Sequence, residues 1–258
     1  MRTNYHTHTC RCRHAIGTEL DYVNEAVKKG LSILGFSDHG PYKNNRYGLR
    51  MDYRDLQPYI AAVNELKINR KSEITIHSGL EIEYDPREED FYKELLIDHG
   101  LDYLALGQHF YISDEGQAIN IYSITDTSQY IDYANSIAAA MASGYFKFAA
   151  HPDIMFVNNF SWDKNCEKAC DIIISEADAH KYILEFNANG FRRGIHEFID
   201  GSRLQYPHDR FWNKVAQTSI PVIIGSDCHE PGQVWDEVVE HAYAAAKAIN
   251  LNIIDRIF

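Results

Sequence analysis

The sequence predicts an α/β fold of parallel strands closed into a barrel, with a functional site at the carboxyl ends of the strands. Three observations predict it. Seven short apolar runs alternate with seven longer segments of helical pattern, and that alternation means βαβ units and parallel strands. A length of 258 residues suits an α/β barrel, which folds as one unit at about 250 residues. Each apolar run also ends in metal-type or polar side chains. Strand ends converge on one site in a barrel, whereas in an open doubly wound sheet they spread along an edge.

The first strand is read over Arg2–Tyr5 and runs into His6-Thr7-His8. Thr18-x-x-Asp21 is a capping signal for a helix over Thr18–Gly30, with Gly30 as its stop. The apolar run Leu31–Ser37 is the second strand, followed by a helix over Asp52–Asn69. Glu73–Leu80 is the third strand, and the helix Glu88–His99 stops at Gly100. Tyr103–Gly107 is the fourth strand, and the helix Asp126–Ser143 stops at Gly144. Phe146–Ala150 is the fifth strand, followed by a helix over Trp162–His180 that takes Ser161-x-x-Lys164 as its start signal. Tyr182–Phe186 and Ile220–Gly225 are the last two strands, with helices over His208–Thr218 and Val234–Asn250. No repeat and no Pro/Gly/Ser-rich linker interrupts the series, so residues 1–258 are read as one barrel domain.

Composition narrows the function. Apolar residues at 45% and charged residues at 24% exclude a disordered chain. No apolar run approaches the roughly 20 residues needed to span a bilayer. Met1–His6 has no apolar signal-peptide core, and a cytoplasmic protein with reduced thiols is expected. A net charge of -12 argues against nucleic acid as a partner, although bound divalent metals would cancel part of that charge at the site itself. The five cysteines form no paired CxxC set, which disfavours a structural zinc ribbon.

The unusual count is 13 histidines. His6 and His8 lie two apart at a strand end, so both imidazoles face one side and can chelate one ion. Asp227-x-His229 repeats that spacing at the seventh strand. His14, His39, Glu81, His109 and His151 stand in the loops between. Imidazole with carboxylate suits Zn, Mn or Fe. Nine donors exceed the needs of one tetrahedral ion, so two or three divalent ions sharing a carboxylate are expected. His77, His99, His180, His196, His208 and His241 lie inside strands, on helices or in a long loop and are read as structural. Cys12 and Cys228 flank the donors and are read as packing, with Cys228 turned to the opposite face.

These motifs resemble the polymerase-and-histidinol-phosphatase (PHP) superfamily of metallohydrolases, and more narrowly its histidinol-phosphatase branch. The ordered set carries the resemblance: His6-Thr7-His8-Thr9-x-Arg11-Cys12-x-His14, Gly35-Phe36-Ser37-Asp38-His39-x-Pro41, Arg50-Met51, Gly79-Leu80-Glu81-x-Glu83-Tyr84, Gly107-Gln108-His109-Phe110, Ala150-His151-Pro152-Asp153, Glu185-x-Asn187-x-x-Gly190-x-Arg192, Tyr206-Pro207 and Gly225-Ser226-Asp227-x-His229-x-Pro231. It implies a distorted (β/α)7 barrel with a trinuclear centre. The first ion would take His6, His8, Glu81 and Asp227; the second Glu81, His109 and His151; the third His14, His39 and His229. The stretch from Arg193 to Tyr206 is longer than the pattern leads one to expect, which leaves the identity of the substrate open at this stage.

Ions that share a carboxylate can hold a hydroxide between them and make a nucleophile at neutral pH. Charge then accumulates on equatorial phosphoryl oxygens, where a guanidinium fork fits. Arg192 is the first candidate for that clamp, with Arg11 and Arg50 as further candidates and Arg193 as a weaker one. Asp227, His229 or a water on the third metal is the expected acid for the leaving group. Asp38 and Asp153 are expected to orient metal-bound imidazoles, with helix or turn capping as the alternative for both. Tyr42, Tyr47, Tyr84, Tyr111 and Tyr122 stand in site loops and are read first as ordinary half-buried loop residues, with stacking on a flat leaving group as the alternative. The resulting expectation is a phosphomonoesterase acting on L-histidinol phosphate in histidine biosynthesis. Alternatives are another phosphoester on the same fold (a nucleotide, an oligonucleotide end or a phosphotyrosyl protein) or a non-catalytic metal-binding scaffold. A metal-dependent amidohydrolase would also use His-x-His, but no lysine stands at a strand end for carbamylation.

Overall fold

The computed structural model, which describes residues 1–258, has twelve strands and eight α-helices. The strands are β1 Thr3–Asn4, β2 Ile33–His39, β3 Thr75–Ile82, β4 Tyr103–Leu106, β5 Phe110–Ile112, β6 Ala118–Asn120, β7 Phe148–Ala149, β8 Ile183–Asn187, β9 Ile195–Phe198, β10 Gly201–Leu204, β11 Pro221–Gly225 and β12 Asn252–Ile253. The helices are α1 Glu19–Lys28, α2 Leu56–Asn69, α3 Glu89–Lys93, α4 Gln129–Ser143, α5 Lys164–His180, α6 Asn189–Arg192, α7 Asp209–Val215 and α8 Glu237–Ala248. All seven expected strands form, and they pair in parallel in the order β1-β2-β3-β4-β7-β8-β11.

The sheet has eight strands rather than seven, because β12 adds to the amino end of β11 through Pro221↔Asn252 and Val222↔Ile253. At the carboxyl ends the first and last barrel strands meet directly. Thr7 and Cys228 form a parallel bridge, and the His8 N–H donates to the Cys228 carbonyl at 3.0 Å. This closure over one end only is the distortion of the barrel. Inside the amino end lies a small apolar plug that includes Tyr5, Ile33, Tyr103, Phe148 and Ile223. The larger apolar core lies between the sheet and its helices, and burying both sheet faces explains the continuous apolar runs.

The register carries function. In the β2–β3 pair His39 stands opposite Glu81, and in β8–β11 Asn187 stands opposite Gly225. Thr18 and Asp21 cap α1 reciprocally as expected. The cap of α5 is Asp163, whose carboxylate accepts from Asn165 and Cys166 N–H, not Ser161. Helix α8 starts at Glu237, after a separate turn over Pro231–Val234, because Asp236 caps it through the Val239 N–H. Two antiparallel hairpins, β5–β6 and β9–β10, lie outside the βαβ alternation.

Candidate metal centre

The centre is built around Glu81, which ends β3 and is 1% exposed. Its two carboxylate oxygens address different imidazoles. Oε2 lies 2.9 Å from His39 Nδ1 and 3.5 Å from both His6 Nε2 and His8 Nε2. Oε1 lies 2.8 Å from His151 Nε2 and 3.8 Å from His109 Nε2. Asp227 Oδ1 approaches His8 Nε2 at 3.1 Å and His6 Nε2 at 3.6 Å. Toward the opening, His229 Nε2 and His14 Nε2 are 2.9 Å apart, and the His229 ring stacks on His8 at 4.4 Å. The fold therefore gathers all nine predicted donors in one place.

Local backbone explains the convergence. His6 and His8 follow β1 with the period of an extended chain. His151 and Asp227 stand just past β7 and β11 with φ of 31° and 48°. Non-glycine residues rarely take that conformation, and it concentrates at functional sites. Gly107 faces Glu81 across β3–β4, where a Cβ would overlap Glu81 Oε1.

The donor set fits divalent ions. His6 Nε2, His8 Nε2, His39 Nδ1 and Glu81 Oε2 are buried and, despite approaches as short as 2.9 Å between the last two, make no aligned hydrogen bond; each such orphan costs about 1–3 kcal/mol unless something binds it. Ligands at ~2.0–2.2 Å around a tetrahedral ion stand roughly 3.3–3.5 Å apart, which matches the 3.5 Å from His6 and His8 to Glu81. Four donor groups each lie within 4.8 Å: His6, His8, Glu81; His6, His151, Asp227; His39, Glu81, His109; and His14, His39, His229. A fifth, His8, Cys12 and His229, brings in the buried Cys12 thiol, which itself donates to the Thr9 carbonyl at 3.2 Å.

The charges agree with that fit. Burial alone would raise Glu81 and Asp227, but the surrounding imidazoles hold both well below the usual carboxylate range. Burial would lower His6, but Glu185, Asp227 and Glu81 keep it well above the imidazole range; His8 is held at about 9 against burial by Asp227, Asp38 and Glu81. Burial pushes His14, His39 and His109 down, and His229 down to about 4, so these rings present neutral donors.

Supporting contacts orient the rings. Glu185 binds His6 Nδ1, Glu83 lies 3.3 Å from His109 Nδ1, and Asp38 lies 3.8 Å from His8 Nδ1 while accepting from Thr9. Asp153 makes no side-chain helix cap and no bond to an imidazole: it accepts the His208 N–H at 2.6 Å and the Trp212 indole N–H at 3.0 Å, and burial pushes it up to about 6. Cys228 is buried and packs against the His6 carbonyl.

The arginines need correction. Arg192 does not reach the site. Its guanidinium donates to the Ser226 carbonyl at 2.6 Å, the Gln233 carbonyl at 3.1 Å and Asp236 at 3.0 Å, tying α6 to the start of α8. One residue on in the same helical turn points elsewhere, and Arg193 lines the cavity instead, with its guanidinium over the Tyr206 ring. Arg11 pairs with Glu19 and is absent from the cavity wall. Arg50 does line the cavity but is paired with buried Glu83. The cavity, about 320 Å³, opens over Glu81, His109, His151 and Asp227, with Leu49, Phe110, Tyr122, Ile154 and Tyr206 on its other walls. Of the five tyrosines singled out, only Tyr122 is on that wall; Tyr42 is buried against Glu83, and Tyr47 stacks on Phe110 at 4.1 Å. Glu185 and Arg193 are the residues that spacing undervalued. The Glu185-x-Asn187 pair at a strand end was the available signal for the first.

The family model of the PHP domain matches residues 4–189. The chain belongs to the PHP domain family. A Deinococcus radiodurans relative with the name "Probable histidinol-phosphatase" is 29% identical, with 89% of this chain and 86% of the relative covered. The histidinol-phosphatase of Bacillus subtilis is 26% identical, with 89% and 94% covered. Among PHP structures, the histidinol phosphate phosphatase of Lactococcus lactis, solved with zinc, L-histidinol and phosphate, superposes with a TM-score of 0.73 at 17% identity, over 98% of this chain and 95% of that one. At that identity the likeness is one of fold.

Proposed function

We propose that the chain is a metal-dependent phosphomonoesterase that hydrolyses L-histidinol phosphate to L-histidinol and phosphate, a step of histidine biosynthesis, with residues 1–258 acting as one barrel domain in the cytoplasm. The observation that carries the reading is the nine-donor cluster with its orphaned buried atoms, opening into a cavity sized for a small monoester. The names of the two sequence relatives support the substrate.

Two or three divalent ions (Zn, Mn or Fe) are assigned to the centre. His6, His8, Glu81 and Asp227 would hold the first, Glu81, His109 and His151 the second, and His14, His39 and His229 the third. Such ions supply a nucleophile at neutral pH and neutralise phosphoryl charge. The chain's own residues do the rest. The Arg193 guanidinium binds phosphate oxygens through its planar fork. The Glu83–Arg50 pair and the Tyr206 ring hold the cavity wall against His109 and His151. Leu49, Phe110 and Tyr122 shield the alcohol half from water.

Phosphate release from L-histidinol phosphate, p-nitrophenyl phosphate, AMP and a bis-ester tests the reading. L-histidinol phosphate should lead in kcat/KM by at least a hundredfold, and chelation should abolish turnover. Equal, weak turnover of all monoesters removes the substrate assignment. Undiminished turnover after chelation removes the metal chemistry.

A further inference from the structure

We propose that Glu185 is the positioning residue of the centre: its carboxylate sets the tautomer of His6 and the stance of His151 and Asp227, so that His6 and Asp227 of the first ion site and His151 of the second are preorganised together. The inference rests on the reading above that these side chains hold a divalent ion.

Glu185 is fully buried in β8. Its oxygens lie 2.8 and 3.0 Å from His6 Nδ1. One of them also accepts the His151 N–H at 3.1 Å and the Asn187 amide at 2.8 Å. That same amide reaches Asp227 Oδ2 at 3.3 Å, and Asn189 adds a second donor there at 3.2 Å. A carboxylate only accepts, so the His6 proton belongs on Nδ1. The lone pair is left on Nε2, the orphaned atom that faces Glu81 and Asp227. The bond to the His151 N–H pins the backbone at the residue whose φ is 31°.

Two further observations single out this carboxylate. His6, His151 and Asp227, the three residues it touches directly or through Asn187, are themselves one of the compact donor groups. A Cβ at Gly225, on the neighbouring strand, would overlap Glu185 Oε1, so β11 keeps that space for the carboxylate. Unlike Glu83, which shares its charge with Arg50, Glu185 has no ion-pair partner but His6.

Zinc titration against a chromophoric chelator, with full-length wild type, Glu185→Gln, Gly225→Ala and Tyr103→Phe, is the test. Glu185→Gln puts an amide N–H at His6 or His151, and should weaken the zinc equivalents held through those residues about 10–100-fold while the one at His14, His39 and His229 holds. Gly225→Ala should act in the same direction by displacing the carboxylate. Tyr103→Phe, which breaks bonds to the Tyr5 and Phe36 carbonyls in the same barrel, should lower Tm and leave zinc affinity unchanged. Nitrogen-15 NMR of zinc-loaded wild type should show His6 protonated at Nδ1, which decides the matter even if the variants do not fold. Unchanged zinc affinity in both the glutamine and alanine variants, or a His6 protonated at Nε2, overturns the proposal. Wild type that binds no zinc overturns the metal reading itself.

Discussion

Exchanging the roles of two adjacent arginines separates catalysis from architecture. Arg193→Ala removes the guanidinium on the cavity wall and leaves the α6–α8 tie intact. A charge-assisted fork to phosphate in a water-poor cavity is worth roughly 2–4 kcal/mol in the transition state. That converts to a loss of about 30- to 1,000-fold in kcat/KM. Arg192→Ala breaks the bonds to Ser226, Gln233 and Asp236, and strands Asp236 at the cap of α8. The cost is ~2–3 kcal/mol of stability, and for a chain of this size each kcal/mol lowers Tm by about 2–4 °C. Both variants are assayed with L-histidinol phosphate at 20 °C and by thermal unfolding. Arg193→Ala should keep its Tm and lose activity; Arg192→Ala should lose Tm and keep most activity. The reasoning is refuted if Arg193→Ala retains a third or more of wild-type kcat/KM, or if Arg192→Ala is inactive while still folded.

Chelation should lower Tm by several degrees, because it leaves the buried donors at His6, His8, His39 and Glu81 without a ligand; an unchanged Tm, measured by scanning fluorimetry, contradicts this. Gly107→Ala pushes on Glu81, so its activity should fall at least tenfold with zinc content reduced, as metal analysis would report. His208 is buried and held at about 4, below the usual 6.5. The unfolded chain therefore takes that proton first, and stability is lost as pH falls from about 6.5 to 4, by up to ~3 kcal/mol. His208→Asn keeps an acceptor for the Arg210 N–H and should flatten that decline in urea unfolding across the window. Asp153, raised to about 6, works in the opposite direction but is common to both proteins, so equal slopes would count against the assignment.

The seven barrel strands and seven helical segments were legible because their signals are local: apolar runs, periodicity and stops. The donors were legible because strand ends in a barrel share one mouth, and so residues 223 positions apart, His6 and His229, could be grouped before their contacts were known. What escaped depends on rotation and on pairing. Arg192 ends a four-residue helix and Arg193 follows it by one step, and only the position of Asp236 and Ser226 decides which turns inward. The β9–β10 hairpin turns through Ile199-Asp200, and Gly201 at φ 118° opens β10 opposite Phe198. Asp-Gly thus stands one position later than the two-residue loop it usually marks, in a segment between two βαβ units. Strand β12 is two residues long and owes its form to β11, so no local pattern announces it.

The net charge of -12 looks at odds with an anionic substrate, and the resolution lies in where the charges sit. On the cavity wall the acids are Glu81 and Asp227, while Arg50 and Arg193 supply the fixed cations. Fixed charges alone therefore nearly cancel there, and Arg50 is already committed to Glu83. Attraction for a phosphomonoester then has to come from the ions the histidines hold, because the His14, His39 and His109 rings on the wall are pushed toward the neutral form and bring donors without charge. Recognition and chemistry share one origin in this arrangement. The metal-free protein should have lost its affinity for phosphate along with its turnover, while the acidic exterior repels longer polyanions in either state. Equilibrium dialysis with inorganic phosphate, before and after chelation, separates this from a design in which Arg193 alone captures the substrate: in that case phosphate binding would survive removal of the metal.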